Sequence, residues 1–198
     1  MSYDAIFRIA IIGDCGVGKS SIVNKFTHNE FNITSTSTIG VEFASKIIIR
    51  CGKKCKLQIW DLSGNPAYID LINMYLKNVC YVVLVYDITN TSTFLHIQDW
   101  YNNVKNIVKK NTGMLIVGNK TDLVSNSIIT TKNLAELSDT LNIPYITTSC
   151  NNTKLINTLF NTILVNINKQ RDNNEKTRAI IPISAKKRES ACSRCAIM

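Results

Sequence analysis

Residues 13–20 read Gly13-Asp14-Cys15-Gly16-Val17-Gly18-Lys19-Ser20, the G-x-x-x-x-G-K-S spacing of a loop that cradles phosphates. No other stretch limits the fold as tightly, because such a loop works only between a strand and a helix. The glycines let the backbone close on an anion with several N–H groups turned inward. Lys19 adds a mobile positive charge for β- and γ-phosphates, and Ser20 a hydroxyl for a Mg²⁺ ion that bridges them. The flanks fit. Ile6 to Ile12 is a short apolar run suited to a buried strand, and Ser21 to Phe26 suits the first turns of a helix whose N-terminus faces the phosphates.

The rest of the chain alternates apolar runs with amphipathic stretches, the pattern of βαβ units and a mostly parallel sheet. Residues 31–39 are polar and rich in Ser and Thr, so they read as a loop. Val41 to Arg50 and Lys54 to Trp60 follow as two strands across a short turn, an antiparallel pair at one sheet edge. Asp61 to Pro66 is a second loop, with Asn65 as an N-cap and Pro66 at the first helical position. Cys80 to Tyr86 suits a central strand. Thr91 to Lys110 has helical periodicity, with a stripe from Phe94 through Trp100 to Val108. A strand at Met114–Val117, a helix at Thr131–Leu141, a strand from Ile143 to Thr147 and a helix at Leu155–Ile167 complete the series. The expected fold is α/β: a three-layer P-loop NTPase architecture with a mostly parallel six-stranded sheet, one antiparallel edge strand, and helices on both faces. Residues 1–168 form the domain, and 169–198 a flexible basic tail.

Charge and cysteine usage narrow the class further. The chain carries a formal net charge of +9, and from Lys169 onward eight basic residues face three acidic ones. No RNA-binding signature or basic–aromatic interleaving accompanies that charge, so a membrane surface is the expected partner rather than nucleic acid. Met1-Ser2-Tyr3-Asp4 is too short and polar for a secretory signal, so the seven Cys are expected as free thiols. With His28 and His96 as the only histidines, no zinc site is expected.

A phosphate loop alone is shared by many ATPases and kinases. Asn119-Lys120-Thr121-Asp122, just after a predicted strand, separates them. A carboxylate at Asp122 can accept two hydrogen bonds from the N1–H and exocyclic amine of guanine, and adenine offers no such donor pair. The Lys120 stem can lie along the base.

With these motifs the chain resembles the small Ras-like GTPases, specifically the Rab branch, from about Phe7 to Ile167. The resemblance implies GTP/GDP and Mg²⁺ as ligands, with nucleotide contacts from Asp14, Cys15, Gly16, Val17, Gly18, Lys19, Ser20, Ser21, Asn119, Lys120 and Asp122. Thr38-Ile39-Gly40-Val41-Glu42-Phe43 looks like the first switch, in which Thr38 binds Mg²⁺ and senses the γ-phosphate. Phe31 stands where the family has an aromatic against the base. Asp61 matches the residue that reaches Mg²⁺ through water, so the implied metal set is Ser20, Thr38 and Asp61. Ser149, Cys150 and Asn151 occupy the place of a second base-binding loop that usually reads Ser-Ala-Lys. Phe43, Trp60 and Tyr75 match an aromatic triad read by effectors, together with Ile39 to Glu42.

The second switch departs from the family. Asp-Thr-Ala-Gly-Gln-Glu is replaced by Asp61-Leu62-Ser63-Gly64-Asn65-Pro66. Gly64 keeps its backbone N–H for the γ-phosphate. Asn65 replaces the water-orienting Gln and is one methylene shorter, and Pro66 removes a donor. The implied catalytic group is Asn65, Gly64, Lys19 and Thr38. Two readings follow: a GTP switch with slow intrinsic hydrolysis and a role in vesicle traffic, or a GTP-binding module with negligible turnover acting as an effector scaffold. The last residues, Cys195-Ala196-Ile197-Met198, form a C-a-a-X box, with Cys192 as a second candidate for lipid. The expectation is a lipid-anchored monomer on the cytoplasmic face of an intracellular membrane, exchanging with cytosol. Its expected partners are effectors, an exchange factor and a GTPase-activating protein.

Overall fold

The structure is a computed structural model that describes residues 3–30, 37–50, 52–126 and 129–180. Six strands form one sheet in the order β2-β3-β1-β4-β5-β6. They are β1 (Ala5–Ile12), β2 (Val41–Arg50), β3 (Lys53–Leu62), β4 (Tyr81–Asp87), β5 (Gly113–Asn119) and β6 (Tyr145–Thr147). All neighbours pair in parallel except β2 and β3, which run antiparallel from Val41↔Leu62 to Arg50↔Lys53. The expected mostly parallel sheet with one antiparallel edge strand is the observed one.

Side chains alternate across the sheet with period two. On one face Ile9, Ile11, Val83 and Val85 pack with helix α1 (Lys19–His28) and helix α6 (Thr153–Ile180), where the Phe26 and Phe160 rings stack. On the other, Ala10, Ile12, Val82 and Leu84 meet α2 (Ile69–Leu76), α4 (Ile97–Ile107) and α5 (Thr131–Leu141). Every residue of β4 is buried, which is why its sequence is an unbroken apolar run rather than an alternating one. Since β1, β3, β4 and β5 share one direction, their carboxyl ends carry the phosphate loop, Asp61, Asp87 and Asn119 to a single edge of the sheet.

Several boundaries differ from expectation: β3 runs on through Asp61 and Leu62, which the sequence places in a loop, because both still pair with β2, and three further differences stand out. The single helix expected over 91–110 is two: α3 (Thr91–Leu95) and α4, separated at His96. Asn90 caps α3 by accepting from Ser92 N–H, and α4 ends where Val108 turns extended. The strand expected from Ile143 begins at Tyr145, although the carbonyl of Pro144 already accepts from Ile116 N–H. Finally, α6 runs on to Ile180, past the boundary expected at residue 168. Among the described residues no helix is long and apolar enough to cross a membrane.

Candidate nucleotide and switch site

The phosphate loop is built on close backbone approach. Gly18, left-handed at φ 95°, starts α1, and a side chain there would overlap the Asn119 amide. Lys19 is buried and lies across the loop, donating to the carbonyls of Gly13 (2.9 Å) and Asp14 (2.8 Å). Burial pushes its ammonium pKa down, while Asp61, Cys15 and Asp14 oppose that.

Beside it, the three residues implied as Mg²⁺ ligands converge. Ser20 Oγ and Thr38 Oγ1 are 2.9 Å apart. Asp61 is buried, and neither carboxylate oxygen has a hydrogen-bond partner. Burial raises its carboxyl to about 6; the adjacent Ser20 hydroxyl and Lys19 pull it back, yet Ser20 is not aligned to bond either oxygen. A buried carboxylate left without a partner is costly. One such carboxylate plus two hydroxyls is a hard-oxygen set, and Mg²⁺ takes few protein ligands of that kind, filling its remaining positions with water and phosphate oxygens. The residues fit the ion.

At the other end, Asn119 is fully buried, and its amide donates to Val17 O at 2.8 Å, fastening the β5 end to the phosphate loop. Lys120, at φ 70°, pairs with Asp87 at 2.6 Å. That charge and the Thr89 N–H and hydroxyl hold Asp87 below the usual carboxylate range, against the effect of its burial. Asp122 accepts from the Ser149 hydroxyl at 2.5 Å on one oxygen and from the Asn151 amide at 2.8 Å on the other. Asn151, which stands in place of the family's Lys, therefore orients the carboxylate expected to read the base. Cys150 is buried against Asn119, and that burial lifts its thiol to about 11.

The two loops expected to be switches touch through Ser63. It is fully buried, donates from Oγ to Thr38 O (2.9 Å), accepts from Asn65 N–H (3.2 Å), and donates its own N–H to Gly40 O. Gly64 lies so close that a side chain would overlap the backbone of Asp14 and Cys15. Asn65 Oδ1 accepts from Ala67 N–H at 2.9 Å, capping a short 3₁₀ turn at Pro66–Tyr68, as expected of Asn65 and Pro66 as cap and first helical residue. Outside the loops, Phe43 and Tyr75 flank Trp60 with ring centroids at 4.7 and 4.8 Å. Phe43 is half-exposed and Ile39 is 81% exposed, so this apolar face is open to a partner.

Phe31, Cys192 and Cys195 lie outside the described residues. Ser63, Asp87 and the pair His96 and Trp100 are contributors that the motifs do not pick out. Ser63 was visible only as a departure from Ala. Asp87 closes a strand, and its pairing with Lys120 is a tertiary fact. Asp14 is held by His96 Nδ1 (2.7 Å) and Trp100 Nε1 (2.8 Å), so the break between α3 and α4 grips the phosphate loop.

Comparison with known proteins places this geometry in context. Residues 8–169 match the model of the Ras family. The chain is 38% identical over 165 residues to the GTP-binding protein ypt3 of Schizosaccharomyces pombe, covering 83% of this chain and 77% of that one. It is 35% identical over 174 residues to the Ras-related protein SEC4 of Saccharomyces cerevisiae, covering 88% and 80%. With the Ras-related protein Rab11A of Lotus japonicus, identity is 36% over 164 residues, covering 83% and 73%.

Proposed function

The chain belongs to the Ras family, on its Rab branch, as a small GTPase that binds and hydrolyses GTP, and we propose that it works as a slow switch in membrane traffic. The observation that carries this reading is the contact between the switches: Thr38, held by the Ser20 and Ser63 hydroxyls, stands between the phosphate loop and the second switch.

Each residue has a role in the proposal. Asp122, oriented by Ser149 and Asn151, selects guanine. Lys19 and the loop N–H groups take the β- and γ-phosphates. Ser20, Thr38 and, through water, Asp61 would hold Mg²⁺, which when bound neutralises phosphate charge. Thr38 and Gly64 respond to the γ-phosphate, and their order shapes the face of Ile39, Phe43, Trp60 and Tyr75 that effectors read. Loss of the γ-phosphate releases both loops.

Turnover rests on the second switch. Asn65 is shorter than the family Gln, and its oxygen is engaged with Ala67 N–H. A GTP-binding module with negligible turnover is therefore the second reading. Single-turnover hydrolysis of bound GTP separates them. The switch reading expects a rate on the order of 10⁻⁴ s⁻¹, that of Ras itself, or lower, raised by Asn65→Gln combined with Pro66→Glu. No hydrolysis in the native chain over many such lifetimes, even with a stimulating protein, leaves only the scaffold reading. Fast native turnover that neither substitution alters overturns both.

The tail completes the proposal: a prenyl group on Cys195, with Cys192 as a second candidate, anchors the protein to the cytoplasmic face of a membrane. Lys186, Lys187, Arg188 and Arg194, opposed by Glu189, add roughly 3 kcal/mol at an anionic leaflet. Cys195→Ser should shift the protein to the soluble fraction.

A further inference from the structure

The nucleotide uses the carboxyl ends of the strands. At their opposite ends, between the starts of β4 and β5, the turn after α4, the end of α5 and the flank of α6, lies a second cavity of about 680 Å³. Its apolar lining includes Val108, Met114, Leu141 and Ile143, and four lysines reach it: Lys105, Lys109, Lys110 and Lys169. No Asp or Glu lines it. All four lysines are exposed. In its wall the Tyr81 hydroxyl donates to Met114 O and accepts from the Asn166 amide, so those polar groups are already matched and the wall is fixed. An unopposed four-lysine rim around a partly apolar recess is complementary to a compact ligand with several negative charges.

We propose that this cavity receives a phosphorylated inositol headgroup of a membrane lipid. A solvated lysine surface needs no recess. Here, however, lysines from α4, from the turn after it and from α6 converge on one concavity, which matches several phosphates on one ring. The choice of a lipid over a free phosphate rests on the tail reading. Lys169 belongs to α6, which runs on to Ile180 and is followed in sequence by the basic residues before Cys195, so on the tail reading a tethering membrane would lie on the side toward which α6 runs. Binding there leaves the nucleotide loops and the Phe43–Trp60–Tyr75 face clear. It would add a lipid-specific contact to a prenyl chain, which by analogy with a single myristoyl chain binds only marginally.

The test uses the full chain, unprenylated and GDP-loaded. The probes are soluble inositol 1,4-bisphosphate and phosphatidylcholine vesicles carrying either phosphatidylinositol 4-phosphate or phosphatidylserine at equal total charge. Saturable binding of the soluble headgroup is expected, with amide shifts at Gly113 and Asn142. The phosphoinositide vesicles should bind at least tenfold better than the serine-lipid ones. Lys109→Glu with Lys110→Glu should abolish both effects while retaining GDP, and neutralising Lys186, Lys187 and Arg188 should leave headgroup binding intact. Headgroup binding without any vesicle preference would overturn the lipid assignment and keep an anion site. No headgroup binding overturns the site. Neither result bears on Asp122 or on hydrolysis, so the switch reading stands or falls separately.

Discussion

Asp122 and Asp61 are carboxylates at the same edge of the sheet, which the proposed function sets at the two ends of one nucleotide, and their surroundings are opposite. Asp122 is exposed and held on both oxygens, by Ser149 and Asn151. Its neighbour Asn119 is tied to the phosphate loop, and Lys120 to Asp87. The base end is thus assembled from protein contacts alone. Asp61 is buried and bonded to nothing, beside two hydroxyls that bond each other. That end is completed only by ligands. On the proposed reading, such a site keeps its nucleotide identity fixed while its phosphate end changes state, because the unsatisfied Asp61 carboxylate lies at that end alone.

The largest way to break the contrast is at the base. Asp122→Asn removes a charged acceptor of two bonds, each worth about 1.5–3 kcal/mol, so GTP affinity should drop on the order of 10³-fold. Preference should shift toward xanthine nucleotides, read by competition binding. Unchanged GTP affinity would mean that the oriented carboxylate does not read the base.

A smaller effect tests the phosphate end. The Asp61 carboxyl lies at about 6 against an ordinary 3.8, so the fold favours its protonated form. That contribution is full below about pH 4 and is lost as pH rises through about 6. The loss reaches about 3 kcal/mol at pH 7. In EDTA, the GDP-loaded chain should therefore gain thermal stability on going from pH 7 to pH 5, relative to Asp61→Asn. Bound Mg²⁺ favours the ionised carboxylate, so its affinity should fall as pH drops through 6. Parallel curves for native and Asp61→Asn chains in EDTA would show that Asp61 is not the strained group.

The smallest effect concerns the seam between switches. Ser63→Ala removes two hydroxyl bonds, the one to Thr38 O and the one from Asn65 N–H, at about 1 kcal/mol each. Amide exchange at Ile39–Gly40 and Asn65 in the GTP form should quicken about fivefold, with Asn119 and Asp122 unchanged. Equal acceleration at the base end would erase the distinction between a fixed end and a responsive one.

The chain's own order determined much of this. A short apolar strand, three glycines, Lys19 and Ser20 specify a phosphate loop because backbone geometry there is local, and Asn119 to Asp122 are legible as a guanine motif because the acceptor pair sits on one side chain. Strand alternation and the unbroken run in β4 made the sheet legible, since burial on one or both faces writes itself into residue periodicity. Folding alone decided the rest. The stripe from Phe94 to Trp100 reads as one helix because its apolar period is unbroken, and the contact of His96, at the break, with Asp14, 82 positions away, is not written in that period. Ser63 reads as a small residue in a loop until Thr38, 25 positions earlier, is laid across it. Asn151 reads as a lost lysine until Asp122 is beside it. Local patterns record what each residue does to its own backbone and face. Which partner a polar side chain finds depends on loop closures that no stretch of sequence contains, and in this protein those partners separate the fixed end of the site from the responsive one.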